Sequence, residues 1–169
     1  GVPAITTAQD PEAMDVIVRM AARVGAPLYV AAPASYALVS DGIMPTGAAL
    51  PTQFDPYKRY GGPTTIALRG SFQRDNARLA TGAALLLRDA GLPLGDDAIA
   101  AGLAEAHWPG RMEVVEGTPT IVLDGAHNGD SAARLLGSLE AAYPGQPLVF
   151  VLGVSQGHSA DHILETLLP

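Results

Sequence analysis

The chain has 169 residues, 48% of them hydrophobic, and a formal net charge of −7, so it can fold as one domain or parts of two and is not wholly disordered. It contains no cysteine, which excludes disulfides, thiolate metal sites and cysteine nucleophiles. Acidic residues outnumber basic ones 17 to 10, so no nucleic-acid partner is expected, and without a signal-peptide pattern or an apolar run of about 18–20 residues we expect a cytoplasmic protein that makes no membrane contact.

The first third of the chain predicts a helix-then-strand unit followed by turns. Asp10-Pro11-Glu12 has the pattern of a helix start, with an N-cap, a proline at the first position and an acid in the first turn. Gly25 ends this helix, and the apolar run 27–31 is typical of a buried strand. Residues 33–63 are rich in proline and glycine and predict turns with short edge strands, one of them at 36–39.

The middle of the chain predicts one strand and two helices. Residues 64–68 read as a strand, and 69–74 read as a loop. Asp75 is expected to cap a long helix that Gly91 closes, and a second helix is expected over 96–106.

The last third predicts two neighbouring strands and then an alternation of helix and strand. Strands are expected at 112–115, 120–123 and 148–152, and helices at 130–142 and 158–168. From about residue 118 this order predicts the beginning of a parallel doubly wound sheet. A two-stranded parallel sheet leaves an unpaired edge, so we expect self-association of the chain.

Three segments carry candidate binding chemistry, and none of them is a lysine-bearing phosphate loop. The only lysine, Lys58, does not follow a glycine-rich loop, so any fixed cation aimed at a phosphate must be an arginine. In the first segment, 70–77, the amide of Asn76 offers a donor and an acceptor that match an adenine edge. The alternative is that Gln73 and Asn76 only bind loop backbone.

The second segment, Trp108-Pro109-Gly110-Arg111, fixes the direction in which an arginine leaves the backbone. Its guanidinium can then meet phosphoryl oxygens in a bidentate manner. The alternative is a helix terminator with an arginine on the surface.

The third segment, Asp124-Gly-Ala-His-Asn128, follows a predicted buried strand. Asp124 can accept two ribose hydroxyls, as acids near strand ends of nucleotide-binding folds do. The alternative is that Asp124 or Asn128 caps the next helix, and a lone histidine such as His127 is more often structural than a ligand. His158 and His162 have a zinc-compatible spacing but lack a third ligand, so no metal site is predicted.

Taken in order, these segments resemble the signature of the Mur ligase superfamily. Pro-Gly-Arg at 109–111 followed by Asp-Gly-Ala-His-Asn at 124–128 is closest to its folate branch, the folylpolyglutamate synthases and bifunctional dihydrofolate synthases. The resemblance covers nearly the whole chain. It implies an α/β fold in which 1–111 is the C-terminal part of the central ATP-binding domain and 112–169 starts a Rossmann-like C-terminal ligase domain.

The resemblance also implies a reaction and roles for single residues. Family enzymes phosphorylate a substrate carboxylate with ATP, and the amino group of glutamate then attacks the acyl phosphate. Asn76 matches the adenine-contacting asparagine, Arg111 the arginine that reaches the ATP phosphates, and Asp124 the ribose-binding aspartate. His127 matches a histidine of the cleft between the domains. The implied partners are L-glutamate and a folate or pteroate, with Mg²⁺ as the metal.

The family's phosphate loop and magnesium ligands correspond to positions before Gly1, so the resemblance implies a fragment with no metal ligand and no ligase activity of its own. A shortened, non-catalytic paralogue that binds a nucleotide or a protein is the alternative from another class. A Mur-type ligase for a different carboxylate is a third, although the peptidoglycan enzymes more usually have tyrosine where Gly125 stands.

Overall fold

The computed structural model of the protein describes residues 1–7, 9–31, 52–155 and 160–168. The chain divides into two compact units. The first comprises Gly1–Thr65 with Asp75–Glu105, and the second comprises Ile66–Arg74 with Ala106–Pro169. The predicted domain boundary after residue 111 stays a prediction. Within the described ranges, no helix has the length and apolar character needed to cross a membrane.

The first unit is built on a parallel sheet whose described strands run in the order β1-β2-β3. The strands are β1 (Ala4–Thr6), β2 (Leu28–Ala31) and β3 (Thr52–Phe54). The helices are α1 (Pro11–Arg23), α2 (Pro56–Tyr60), α3 (Gln73–Asp89) and α4 (Asp96–Ala104), with the first two residues of α3 counted in the second unit. The register aligns Ile5 with Tyr29 and Val30 with Gln53. Parallel neighbours need a crossover connection, and α1 provides it between β1 and β2.

Helix α1 confirms the start and end signals of its sequence. Asp10 occupies the N-cap position, Pro11 the first helical position, and Gly25 beyond the end has a φ of +62°. Val18 packs with Leu28 of β2 in a buried apolar cluster. The apolar face of the helix is therefore turned towards the sheet, as its spacing predicts.

Helix α2 differs from the expectation of turns and short edge strands over 33–63. Asp55 caps it by accepting the N–H of Tyr57 at 3.1 Å, and Pro56 stands at the first helical position. The prediction is therefore wrong for this helix, although β3 is a short strand as expected. The predicted strand at 36–39 lies outside the described residues.

Helix α3 begins earlier than predicted. The N–H of Gln73 donates to the Gly70 carbonyl at 3.1 Å, so the turn leads directly into the helix. Asp75 consequently lies in the first turn, where it pairs with Arg78 at 2.9 Å instead of capping the helix. Gly91, just past the end, has a φ of +101° and closes the helix as predicted.

The second unit contains an antiparallel hairpin and two helices among its described residues. They are β4 (Glu113–Val115), β5 (Ile121–Leu123), α5 (Gly129–Ala142) and α6 (Ala160–Leu167). The hairpin pairs Glu113 with Leu123. Ala132 of α5 and Ile163 of α6 belong to a buried cluster, and Phe150 packs against it. Both helices lie in the segments where helices were predicted.

The strand predictions for 64–68 and 148–152 are wrong, because neither segment pairs with another strand among the described residues. In the second segment Phe150 packs on the helices, whereas Val149 and Val151 are 91% and 95% exposed. The alternation is that of a strand, but a strand also needs a neighbour for its backbone hydrogen bonds.

The predicted parallel sheet after residue 118 is likewise corrected. That sheet would pair 120–123 with 148–152, but of these two segments only the first contains a strand, β5, and its described partner is β4, to which it pairs antiparallel. Antiparallel strands need only a hairpin, whereas a parallel pair needs a crossover and a second strand to receive it. Residues 148–152 would be that second strand, but they pair with no described strand.

Candidate functional site

Arg111 lies in a turn between α4 and β4 whose backbone is left-handed on both sides of it. Gly110 has a φ of +69° and Met112 a φ of +49°. For a residue with a Cβ, this conformation costs about 1–2 kcal/mol and needs support from its surroundings. The Arg111 side chain is exposed and makes no ion pair or hydrogen bond with another described residue. A guanidinium held this way can meet a phosphoryl or carboxylate group.

Two carboxylates hold the backbone on either side of Arg111. Glu113 Oε2 accepts the N–H of Gly110 at 2.8 Å. Asp124 Oδ2 accepts the N–H of Met112 at 2.9 Å. Hydrogen bonds from N–H groups to ionised acceptors are stronger than neutral ones. The backbone on both sides of Arg111 is therefore fixed by these two side chains.

The buried side chain of Met112 also holds this turn in place. It is 3% exposed. A Cβ built on Gly70 would lie 3.3 Å from Met112 Cγ and 2.8 Å from Phe72 Cε1, and Gly70 has a φ of +107°. Glycine is therefore required at position 70 both by conformation and by space.

Asp124 organises the turn after β5 as well as the turn of Arg111. Its Oδ1 accepts the N–H of Ala126 at 2.8 Å, while Oδ2 is bonded to Met112. The alternative that Asp124 or Asn128 caps α5 is confirmed for Asn128, which is the N-cap, and not for Asp124. The predicted contact of Asp124 with a ribose stays a prediction.

His127 lies between Asp124 and the start of α5 and is exposed. Its Nδ1 is 3.0 Å from the carbonyl oxygen of Gly125. Because a carbonyl oxygen only accepts, Nδ1 carries the proton, and in the neutral ring Nε2 is then the acceptor nitrogen. Asn128 Oδ1 accepts the N–H of Ser131 at 2.8 Å, and Ser131 Oγ accepts the Asn128 N–H, which completes a capping box.

Asn76 lies in the first unit, is exposed, and stands in the first turn of α3. Arg78, beside it on the helix, pairs with Asp75 at 2.9 Å and stands 5.2 Å from the centre of the Tyr57 ring. Burial raises the pKa of the Tyr57 hydroxyl, and the positive charge of Arg78 opposes that rise. The predicted contact of Asn76 with adenine stays a prediction. So does the alternative that its amide only hydrogen-bonds to loop backbone.

The structure brings Arg111, Asp124 and His127 into one unit, on the hairpin and the turns at its ends, whereas Asn76 belongs to the other unit. Sequence reasoning missed Glu113, although its place two residues after Arg111 on a predicted strand was visible. No group of three or more metal-ligating side chains occurs among the described residues. His158 lies outside them, so the histidine pair is not described.

The chain is similar to known proteins over nearly its whole length. Residues 110–169 match the family model described as dihydrofolate synthetase, C-terminal domain. The dihydrofolate synthase/folylpolyglutamate synthase of Bacillus subtilis is 28% identical over 168 residues, which is 99% of this chain and 38% of that protein. The UDP-N-acetylmuramoyl-L-alanyl-D-glutamate–L-lysine ligase of Streptococcus pyogenes is 37% identical over 120 residues, covering 70% of this chain and 23% of that protein. A solved Mycobacterium tuberculosis folylpolyglutamate synthase, complexed with ADP and AMPPCP, matches 98% of this chain and 38% of its own with a TM-score of 0.69 and 26% identity.

These matches confirm an α/β fold of the Mur ligase type for the chain. Within that class, the chain is similar to folylpolyglutamate and dihydrofolate synthases, as the resemblance predicted. It spans 38% of the length of the Bacillus subtilis protein. The activity of a whole synthase is therefore not transferred to it directly.

Proposed function

We propose that this chain forms part of an ATP-dependent ligase that joins glutamate to a folate or pteroate carboxylate. The observation that carries the proposal is its similarity, over 98% of its length, to a folylpolyglutamate synthase solved with ADP and AMPPCP. In this reaction ATP phosphorylates the carboxylate, and the glutamate amine then displaces phosphate to form the amide. Phosphoryl transfer depends mainly on positioning and charge stabilisation.

Arg111 is proposed to contact the phosphate oxygens of ATP and to stabilise charge during the transfer. Its exposure and its freedom from ion pairs with described residues support this role. The two carboxylates that bind the neighbouring N–H groups leave the guanidinium itself available. An arginine fixed at its backbone also loses less conformational entropy when it binds an anion.

Asp124 is proposed to accept the ribose hydroxyls. Each of its oxygens accepts one backbone N–H, and a carboxylate has about four acceptor positions, so capacity for two hydroxyls is left. His127 is proposed to take part in the reaction as the tautomer with its proton on Nδ1, which the contact to the Gly125 carbonyl oxygen favours. Asn76 is proposed to bind the adenine edge.

Magnesium is proposed as the metal of the complete reaction, because it neutralises the charge of the ATP phosphates. The described residues contain no group of three or more side chains that could hold it. The described residues therefore do not fit a magnesium centre. We accordingly propose that this chain by itself does not turn over. Amide formation by the purified chain, from a host that lacks the endogenous ligase, would contradict this.

We also propose that residues 1–111 belong to the ATP-binding domain and 112–169 to the ligase domain, since the match to a C-terminal domain family starts at residue 110. A cytoplasmic location is proposed because the reaction draws on ATP and folates. Self-association through 148–152 is proposed from the exposure of Val149 and Val151.

The test uses the complete gene product that contains these residues. We expect ATP-dependent incorporation of radiolabelled glutamate into dihydropteroate or tetrahydrofolate, and a loss of kcat/KM of at least about tenfold in Arg111→Ala. Arg134→Ala is the matched control, because Arg134 is also exposed but pairs with Asp130 at 3.0 Å. Nucleotide binding without turnover would instead favour a non-catalytic paralogue.

A Mur-type ligase for another carboxylate is a second candidate, and the similarity to the Streptococcus pyogenes ligase supports it. A Cβ built on Gly125 would make only an ordinary contact, 3.6 Å from the Gly110 carbonyl oxygen. Position 125 therefore has room for a Cβ. Turnover with a UDP-linked peptide carboxylate and none with pteroates would favour this candidate.

A further inference from the structure

The turn that carries Arg111 depends on a side chain that the proposed reaction does not use. The Gly110 N–H points to Glu113 Oε2 at 2.8 Å, three residues away. No other acceptor for this N–H is found among the described residues. Glu113 is the first residue of β4 and lies opposite Leu123 of β5. The pairing of the two strands therefore holds the backbone of Glu113 in place.

The carboxylate of Glu113 is near Arg111 in sequence, but the two do not form an ion pair within 4.0 Å. An acid that paired with the guanidinium would compete with an anionic ligand for it. Bonded instead to the Gly110 backbone, Glu113 braces the turn and leaves the guanidinium unpaired. On the other side, Asp124 holds the N–H of Met112 at 2.9 Å.

We propose that Glu113 is a positioning residue that aims Arg111 at a phosphoryl group, by holding Gly110 in its left-handed conformation. The proposal rests on the proposed nucleotide function. It goes beyond that function because it assigns a role to a residue that the proposed reaction does not use, through its bond to the Gly110 N–H. The bond requires an acceptor oxygen at position 113, and the negative charge strengthens it.

The experiment compares Glu113→Gln and Glu113→Ala in the complete gene product. Amide hydrogen exchange reports the Gly110 N–H, and calorimetry with AMPPCP reports nucleotide affinity. We expect the alanine variant to weaken AMPPCP binding about fivefold and to speed Gly110 exchange, since one charge-assisted hydrogen bond is lost. The glutamine variant keeps an acceptor oxygen and should stay within about twofold of wild type.

A double-mutant cycle separates positioning from general stability. In an Arg111→Ala background, Glu113→Ala should change AMPPCP affinity by less than about twofold, because the residue through which it acts is gone. A fivefold effect that persists without Arg111, or Gly110 exchange that is unchanged in Glu113→Ala, would overturn the role of Glu113 alone. Failure of the wild-type protein to bind AMPPCP would overturn the proposed function, and this inference with it.

Discussion

The turn that carries Arg111 and the apolar segment 148–152 differ in where their backbone partners come from. The turn is bonded to Glu113 and Asp124, three and twelve residues from their donors. The segment has the alternation of a strand but no strand beside it among the described residues. A turn can thus be fixed by nearby residues, whereas a strand depends on a partner that its own sequence does not contain.

The difference bears on function, because the turn with side-chain hydrogen bonds on both sides is the one that presents the candidate ligand-binding group. Arg111 projects from backbone that is held on both sides, and the buried Met112 side chain anchors it to the segment around Gly70. In the segment 148–152 only Phe150 is packed, against the cluster of Ala132 and Ile163. We therefore expect substitutions near the turn to be costly and substitutions on the exposed face of the segment to be tolerated.

The largest expected effect is that of Asp124→Ala, which removes the acceptor of two backbone N–H groups and leaves Met112 unsupported in its left-handed conformation. We expect a loss of about 2–3 kcal/mol in the free energy of unfolding of the second unit. The measurement is urea unfolding followed by the fluorescence of Trp108, the single tryptophan of the chain. Asp124→Asn keeps one acceptor oxygen and should lose about half as much. Equal urea midpoints for Asp124→Ala and wild type would show that the turn is stable without the Asp124 carboxylate.

A smaller loss is expected for Gly70→Ala, because the Met112 anchor approaches this residue. Its φ of +107° is strained for alanine, and we expect a cost of about 1–2 kcal/mol by the same Trp108 measurement. The control is Gly137→Ala on α5, where an added Cβ meets nothing within 4 Å; replacing a glycine within a helix should stabilise by about 0.5–1 kcal/mol. A Gly70→Ala protein as stable as wild type would contradict the close packing of Gly70 and Met112.

The smallest expected effect is that of Val151→Thr. With Val151 95% exposed, the free energy of unfolding should change by less than about 0.5 kcal/mol. Sedimentation of the same variant should show weaker self-association, since an apolar group is lost from the exposed face. A loss of stability above about 1 kcal/mol would mean that this side chain is packed in the folded protein. Segment 148–152 would then be as sensitive to substitution as the turn that carries Arg111.

Much of what is local could be predicted from the sequence. Asp10 and Pro11 mark the start of α1, and the Pro109-Gly110 pair marks the turn before β4, because both act through their own backbone conformations. The same cap-and-proline signal at Asp55-Pro56 starts α2. It was outweighed by the proline-rich surroundings, so this helix was missed.

What could not be predicted depends on pairing across the chain. The bond from Met112 to Asp124 exists because β4 and β5 pair antiparallel, with Glu113 opposite Leu123. The sequence predicts both strands but not that they pair with each other, so the carboxylate is assigned there to a ribose or a helix cap and not to the Arg111 turn. The family resemblance singles out Arg111, Asp124 and His127 as candidate site residues, and these roles stay predictions; it does not indicate which groups hold their backbone.

The most direct test of the account is a calorimetric titration of AMPPCP into the complete gene product and its Arg111→Ala and Arg134→Ala variants. We expect saturable binding by the wild-type protein, binding at least about tenfold weaker without the Arg111 guanidinium, and unchanged binding in Arg134→Ala. Equal affinity of the wild-type and Arg111→Ala proteins would contradict the central claim that the braced turn presents Arg111 to a nucleotide.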